Sequence, residues 1–213
     1  VKVLALDLST RLGWCVDGAD VLPPRTGTYR LPSAVGGNIG KPLLLYSEWL
    51  AAMLSGADKP ALVAFEAPAM GGRGIVMNAE TAALLVSLAG VTEMIAEAYG
   101  VACESAHVQT VRKHFVGSGR PPNAKKAVMD RCRLLGWAVA DDNAADAAAV
   151  WAYAKARRDK TFRLESTTAL FGRPADRAPI KITEETKALY RSPALAGTDD
   201  ELPNWLRDGE GVG

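Results

Sequence analysis

Apolar positions fall into short runs and helical stripes that alternate along the chain. Val1 to Leu6 is an apolar run closed by Asp7, and Ala61 to Phe65 is a second run closed by Glu66. Between them, Gly13-Trp14-Cys15-Val16 and Thr26-Gly27-Thr28-Tyr29-Arg30-Leu31 read as strands, split by the turn signals Asp17-Gly18 and Pro23-Pro24. A three-stranded meander is predicted there. Pro42 to Leu54 places Leu44, Leu45, Trp49 and Met53 at helical spacing, with Pro42 suited to a first turn. Asn78 can cap a long helix from Ala79 to Tyr99, whose stripe is Leu84, Leu85, Leu88, Val91 and Ile95, and Gly100 stops it. Val101 to Ser105 predicts a fifth strand and Thr110 to Val116 a short helix. Asn123 can cap a further helix ending at Gly136, and Asn143 to Arg158 is an alanine-rich helix that begins on acids.

The resulting order, βββαβαβα with a short extra helix, predicts an α/β fold: a mixed five-stranded sheet with helices on both faces. Residues 1–158 form the expected domain. From 159 to 213 the chain is rich in proline and charge without a sustained period, which predicts a weakly ordered tail. No apolar run approaches the ~20 residues of a membrane span, and the N-terminal residues lack a signal-peptide layout. A cytoplasmic location and no membrane partner are expected.

Charge sharpens this reading. The 213 residues carry a net charge of only +1, yet residues 106 to 136 hold 7 basic and 1 acidic side chains, against 7 basic and 10 acidic in residues 1 to 105. Residues 137 to 154 add three aspartates and no base. A basic block beside an acidic cluster points to a polyanion bound next to a metal. With 3 cysteines, far apart, and 2 histidines, a thiolate or imidazole cage is not expected, so any metal is held by oxygen.

The candidate oxygens are the two strand-end acids and one helical acid. Asp7 and Glu66 each end a buried run, and side by side they would project from one end of the sheet, where open α/β sheets hold their sites. Asp142 and Asp146 are four apart and share a helix face, where like charges repel unless a cation relieves them. Asp142 also suits a helix cap. Asp146 lies among Ala144, Ala145, Ala147, Ala148 and Ala149, small residues that predict close packing on a sheet, and a carboxylate inside such a surface needs a partner or a cation. Carboxylates without thiols suit Mg²⁺ or Mn²⁺.

Four blocks in order then resemble the RuvC family of Holliday junction resolvases, within the RNase H-like superfamily, and its phage and prophage members in particular. They are Leu4-Ala5-Leu6-Asp7-Leu8-Ser9-Thr10 with Gly13-Trp14; Val63-Ala64-Phe65-Glu66; Val111-Arg112 through Gly117-Ser118-Gly119 to Lys125-Lys126-Ala127-Val128; and Asp142-Asn143-Ala144-Ala145-Asp146-Ala147. The resemblance implies a homodimeric endonuclease that nicks a four-way DNA junction symmetrically, using Mg²⁺ or Mn²⁺, two ions per site, and no nucleotide cofactor. It implies bacterial cytoplasm or an infected host cell as the setting. Asp7, Glu66 and Asp146 match the metal-binding acids. Asn143 stands where the family commonly has Asp or His, so the fourth ligand is either Asn143, through its carbonyl oxygen, or Asp142. Lys125 matches the catalytic lysine, with Lys126 as its rival.

Arg112, Lys113, Arg120, Lys126 and Arg73, with Arg131 and Arg133, are expected to contact the DNA backbone and position it without reading sequence. The loop from Ala67 to Met77 stands where the family inserts a side chain into the junction centre, and Met70, Ile75 or Met77 could act as the wedge. The helix from Ala79 to Tyr99 is the expected dimer interface. Three alternatives accompany this reading: a ribonuclease H-like or pre-ribosomal-RNA nuclease with the same carboxylates; an actin-like ATPase or sugar kinase, disfavoured because one domain cannot supply two lobes; and a junction-binding protein with a degenerate site, which Asn143 keeps in play.

Overall fold

Three strands in a meander, two parallel strands and five helices make up a computed structural model that describes residues 1–18, 21–34, 36–68, 78–162 and 164. The chain divides into two units, Val1–Thr167 and Thr168–Gly213, and the second lies outside the described residues.

Strands β1 (Val3–Asp7), β2 (Arg11–Gly18) and β3 (Val21–Arg30) run antiparallel, while β4 (Leu62–Glu66) lies parallel to β1, and β5 (Ala102–Ala106) parallel to β4. The sheet order is β3-β2-β1-β4-β5. Central β1 and β4 are buried on both faces, which is why they read as unbroken apolar runs rather than as alternations.

Parity along the strands separates two cores. Leu4, Leu6, Leu12, Val63 and Phe65 face α1 (Gly40–Leu54) and α2 (Ala79–Ala98), meeting Tyr46, Leu50, Leu84 and Leu88. Val3, Ala5, Cys15, Leu62 and Ala64 face α3 (Val108–Val116), α4 (Ala124–Leu134) and α5 (Asp142–Arg158). Large residues fill the first core, at roughly 1.5–3 kcal/mol for each fully buried side chain. On the second side the strands carry smaller residues, among them Ala5, Cys15 and Ala64, which let the alanine face of α5 come close to β1 and β2. Gly13 permits the closest approach, since a Cβ there would lie 2.0 Å from the Asn143 backbone oxygen.

Three sequence expectations change. Pro23 and Pro24 do not mark a turn but lie within β3, an edge strand, where a missing N–H costs no central ladder bond. Asp17 is not a turn residue either. It ends up inside β2, where its carboxylate accepts from Val3 N (3.0 Å), Trp151 Nε1 (2.8 Å) and Lys155 Nζ (2.7 Å). Lys155 also donates to the Val1 carbonyl at 2.6 Å, so a buried ion pair joins β2 to the second half of α5. Finally, α2 is by length and composition apolar enough to cross a membrane. Here Leu84, Leu88, Thr92 and Ala96 pack it into the first core, and Thr92 shares a 2.6 Å hydrogen bond with Tyr46 of α1.

Candidate active site

Parallel pairing of β1 with β4 places Leu6 opposite Phe65, so the next residues, Asp7 and Glu66, leave the same end of the sheet as neighbours. Each follows the parity of Ala5 and Ala64, and both therefore project to the α5 side. From above, α5 contributes Asp146, one turn inside its N-terminus. All three acids are half-buried, and among the described residues none of their carboxylates accepts a hydrogen bond or forms an ion pair.

Their electrostatics follow from that. Burial, then the charges of Asp146 and Glu66, push Asp7 up to about 8. Glu66 rises to about 7, through burial and then Asp146, with Arg112 opposing. Asp146 is also raised by burial, although Arg112 and Lys125 pull it down. Each acid is disfavoured as an anion by poor solvation and by its neighbours. Asp7, Glu66 and Asp146 are the carboxylates gathered at this end of the sheet, but among the described residues no three His, Cys, Asp or Glu side chains stand close enough together to hold a metal ion.

The N-terminus of α5 is held in place by its cap. Asp141, not Asp142, is the cap residue: its carboxylate accepts from Ala144 N at 2.9 Å and from the Thr28 hydroxyl of β3 at 2.7 and 2.8 Å. Asp142 occupies the first turn instead and pairs with Lys125 from α4. This contact lowers Asp142 and raises Lys125. Asn143 is half-buried beside them, its Nδ2 3.5 Å from Asp142 Oδ1.

The two lysines separate. Lys125 lies close enough to Asp7 and Asp146 to lower both, whereas Lys126 turns to Asp130 one turn along α4, and Arg133 joins the same carboxylate at 2.7 Å. Arg112 is half-buried on α3 and faces Glu66 and Asp146. Lys113 is exposed on the same helix. Arg120 is exposed too, and the Gln109 amide, turned so that its oxygen faces it, accepts at 3.1 and 3.2 Å. Arg73, Met70, Ile75 and Met77 lie outside the described residues.

Sequence reasoning missed the anchor Thr28–Asp141 and the buried pair Asp17–Lys155. The second left a signal: Trp151 and Lys155 stand four apart on an alanine-rich helix, so they share a face that needs a polar partner on the facing sheet.

The sheet order, with three antiparallel strands followed by two parallel ones and helices on both faces, defines an RNase H-like α/β fold. Solved structures of RuvC are among those that share it. RuvC from Thermus thermophilus superposes with a TM-score of 0.57 at 21% identity, covering 74% of this chain and 96% of that one. T. thermophilus RuvC in complex with a Holliday junction substrate gives a TM-score of 0.54 at 18% identity, over 75% and 96%. At these identities the likeness is one of fold. No protein-family model matches the chain, and no curated protein matches it.

Proposed function

We propose that the protein is a structure-specific endodeoxyribonuclease that resolves four-way or otherwise branched DNA by paired nicks, acting as a homodimer with Mg²⁺ or Mn²⁺. The observation that carries this reading is the gathering of three carboxylates, from β1, β4 and α5, at one end of the sheet, near enough to feel one another's charge and unpaired among the described residues, with Lys125 and Arg112 beside them. The RuvC fold supports it, because one of the similar structures holds a Holliday junction substrate.

The donor set fits a hard divalent ion. Asp7, Glu66 and Asp146 supply anionic oxygen only, and a cation would relieve the burial and mutual repulsion that now oppose their ionisation. These three residues would hold the metal, with Asn143 completing the set through its carbonyl oxygen. When bound, such ions supply an activated water and stabilise the departing oxygen of a phosphodiester.

The chain's own residues do the rest. Lys125, held by Asp142, offers a fixed ammonium beside the acids, where charge accumulates on the phosphate during attack. Arg112 offers a guanidinium beside Glu66 and Asp146, suited to a phosphate oxygen. Lys113 and Arg120 continue the cationic surface outward and would position the backbone without reading bases. On the other face of the sheet, α2 leaves Val86 and Met94 exposed, at 44% and 59%, which supports its use as the contact between two copies.

The test is incubation of the protein with a labelled four-way junction, a Y-fork, a linear duplex and an RNA–DNA hybrid, each with Mg²⁺, Mn²⁺ or EDTA. Symmetric nicks in the junction, dependent on metal, are expected. Cleavage of the hybrid in preference to the junction would transfer the site to a ribonuclease, and junction binding without cleavage in any metal would leave a binding protein.

A further inference from the structure

Two arginines outside the basic block occupy the same end of the sheet as the acids. Arg11 opens β2 and Arg30 closes β3, and they are direct cross-strand partners. Directly opposed residues of an antiparallel pair project to one face. The chain of partners Asp7, Gly13 and Thr28 fixes which face that is, because Gly13 abuts Asn143 and Thr28 bonds Asp141, both at the start of α5. Arg11 and Arg30 stand two residues further along the same strands and so share that face. They lie ~7 Å past the Asp7–Gly13 pair, by the rise of a strand, and one and two strand spacings of ~4.8 Å to its side.

Both guanidiniums are exposed, and among the described residues neither has an acceptor. Like charges placed directly opposite are unfavourable unless an anion lies between them. The shallow depression around them, of about 340 Å³, is lined by Thr10, Arg11, Arg30, Leu31, Pro32 and Ser33, which include two hydroxyls and no carboxylate. Its walls are fixed by Leu31 N donating to Thr10 O at 2.9 Å and by Ser9 Oγ bonding both the Arg11 carbonyl (2.8 Å) and the Arg11 N–H (3.1 Å). The corresponding depression at the other end of the sheet carries Asp17 and Asp58 beside its cations, and Lys2 is already paired with Asp58.

We infer that Arg11 and Arg30 form a phosphate clamp for a backbone phosphodiester of the nucleic-acid strand being cut, on the β3 side of the acidic centre and across it from Arg112 of α3. This rests on the nuclease reading. The strand crosses the carboxyl end of the sheet, gripped on both sides of the acids, so Arg11 and Arg30 are positioning residues that act without regard to base sequence.

The experiment measures binding of the labelled junction in EDTA by fluorescence anisotropy across a salt series, with steady-state cleavage in Mg²⁺, for the wild type, Arg11→Gln/Arg30→Gln, and a control Arg25→Gln/Lys59→Gln at the far end of the sheet. The clamp variant should bind roughly tenfold more weakly at low salt, with a salt dependence shallower by about 0.7–0.9 for each lost contact. Its defect should fall on KM more than on kcat, and the control should match the wild type. Arg30→Gln alone, which relieves the like-charge pair, provides a second variant should the double one melt early. A wild type that binds and cleaves, beside clamp variants equal to it in affinity, salt slope and KM, overturns the clamp alone. A wild type that neither binds nor cleaves the junction overturns the nuclease reading and the clamp with it.

Discussion

Gly13 of β2 and Asn143 of α5 meet backbone to backbone, with only a hydrogen where any other residue would put a carbon 2.0 Å from the Asn143 oxygen. Since Gly13 is also the register partner of Asp7, this contact sets the height of α5 above the strand that bears the first acid. Gly13→Ala should lift the helix away from the sheet. A loss of about 1–3 kcal/mol, typical of overpacking, is expected in denaturant melts. Cleavage should fall further than stability accounts for, because Asp146 moves with the helix, and an alanine variant with wild-type melting and cleavage would refute the contact's importance.

Asp7→Asn, Glu66→Gln and Asp146→Asn should each abolish junction cleavage while binding in EDTA persists. Neutralisation removes an anionic oxygen but leaves Arg112, Lys113 and Arg120 untouched. Any of the three that retains near-wild-type cleavage does not belong to the centre.

The raised carboxyls also predict how stability depends on pH. In the unfolded chain Asp7 and Glu66 ionise near their ordinary values of 3.8 and 4.5, while in the fold they hold protons up to about 8 and about 7. Between these limits the folded state binds more protons, so the stability of metal-free protein should fall as pH rises from about 4 to about 8. Asp7→Asn should flatten that decline and stabilise the metal-free protein at the alkaline end, by about 0.5–2 kcal/mol. Thermal melts in EDTA across this range decide it, a flat wild-type profile being the contrary result.

The neighbours of Asp146 divide three roles among consecutive residues. Asn143→Ala should raise the concentration of Mg²⁺ needed for cleavage, and Asn143→Asp should preserve or improve activity. Asp142→Ala should slow cleavage by releasing Lys125 while leaving the metal requirement in place. Asp141→Ala should remove the cap, at about 0.5–2 kcal/mol of stability. Metal titrations of the four variants test this division, and a raised Mg²⁺ requirement in Asp142→Ala, with none in Asn143→Ala, would exchange the first two roles.

Asp17→Ala should destabilise by about 3–5 kcal/mol, because it leaves the Lys155 ammonium enclosed without a counter-charge. The paired change Asp17→Leu/Lys155→Met should cost much less, since no charge is stranded. Equal losses in the two proteins, measured by urea unfolding, would show that the charge pairing is not what matters.

The strand-end acids were legible because a central strand buried on both faces leaves little ambiguity about where its apolar run stops. Asp146 was legible for a related reason: alanine on every side is an unusual setting for a carboxylate. Edges and termini were harder. Pro23 and Pro24 are breakers in most settings and became strand residues only through the place of β3 at the sheet edge. The capping role moved from Asp142 to Asp141 because the choice depends on Thr28, more than a hundred residues away in sequence. Lys125 and Lys126 could not be separated from spacing alone, since only packing of α4 against α5 turns one toward the acids and leaves the other with Asp130.

The three acids come from the beginning, the middle and the far end of the described domain, and α5 must close over β1 before they meet. A chain still emerging from the ribosome carries Asp7 and Glu66 long before it carries Asp146, and pairings so distant in sequence form late and cooperatively. A nascent or truncated product lacking α5 is therefore an unarmed one if the proposed nuclease reading holds: the acidic centre is assembled only when the sheet has received its last helix, so synthesis itself would act as a safety catch.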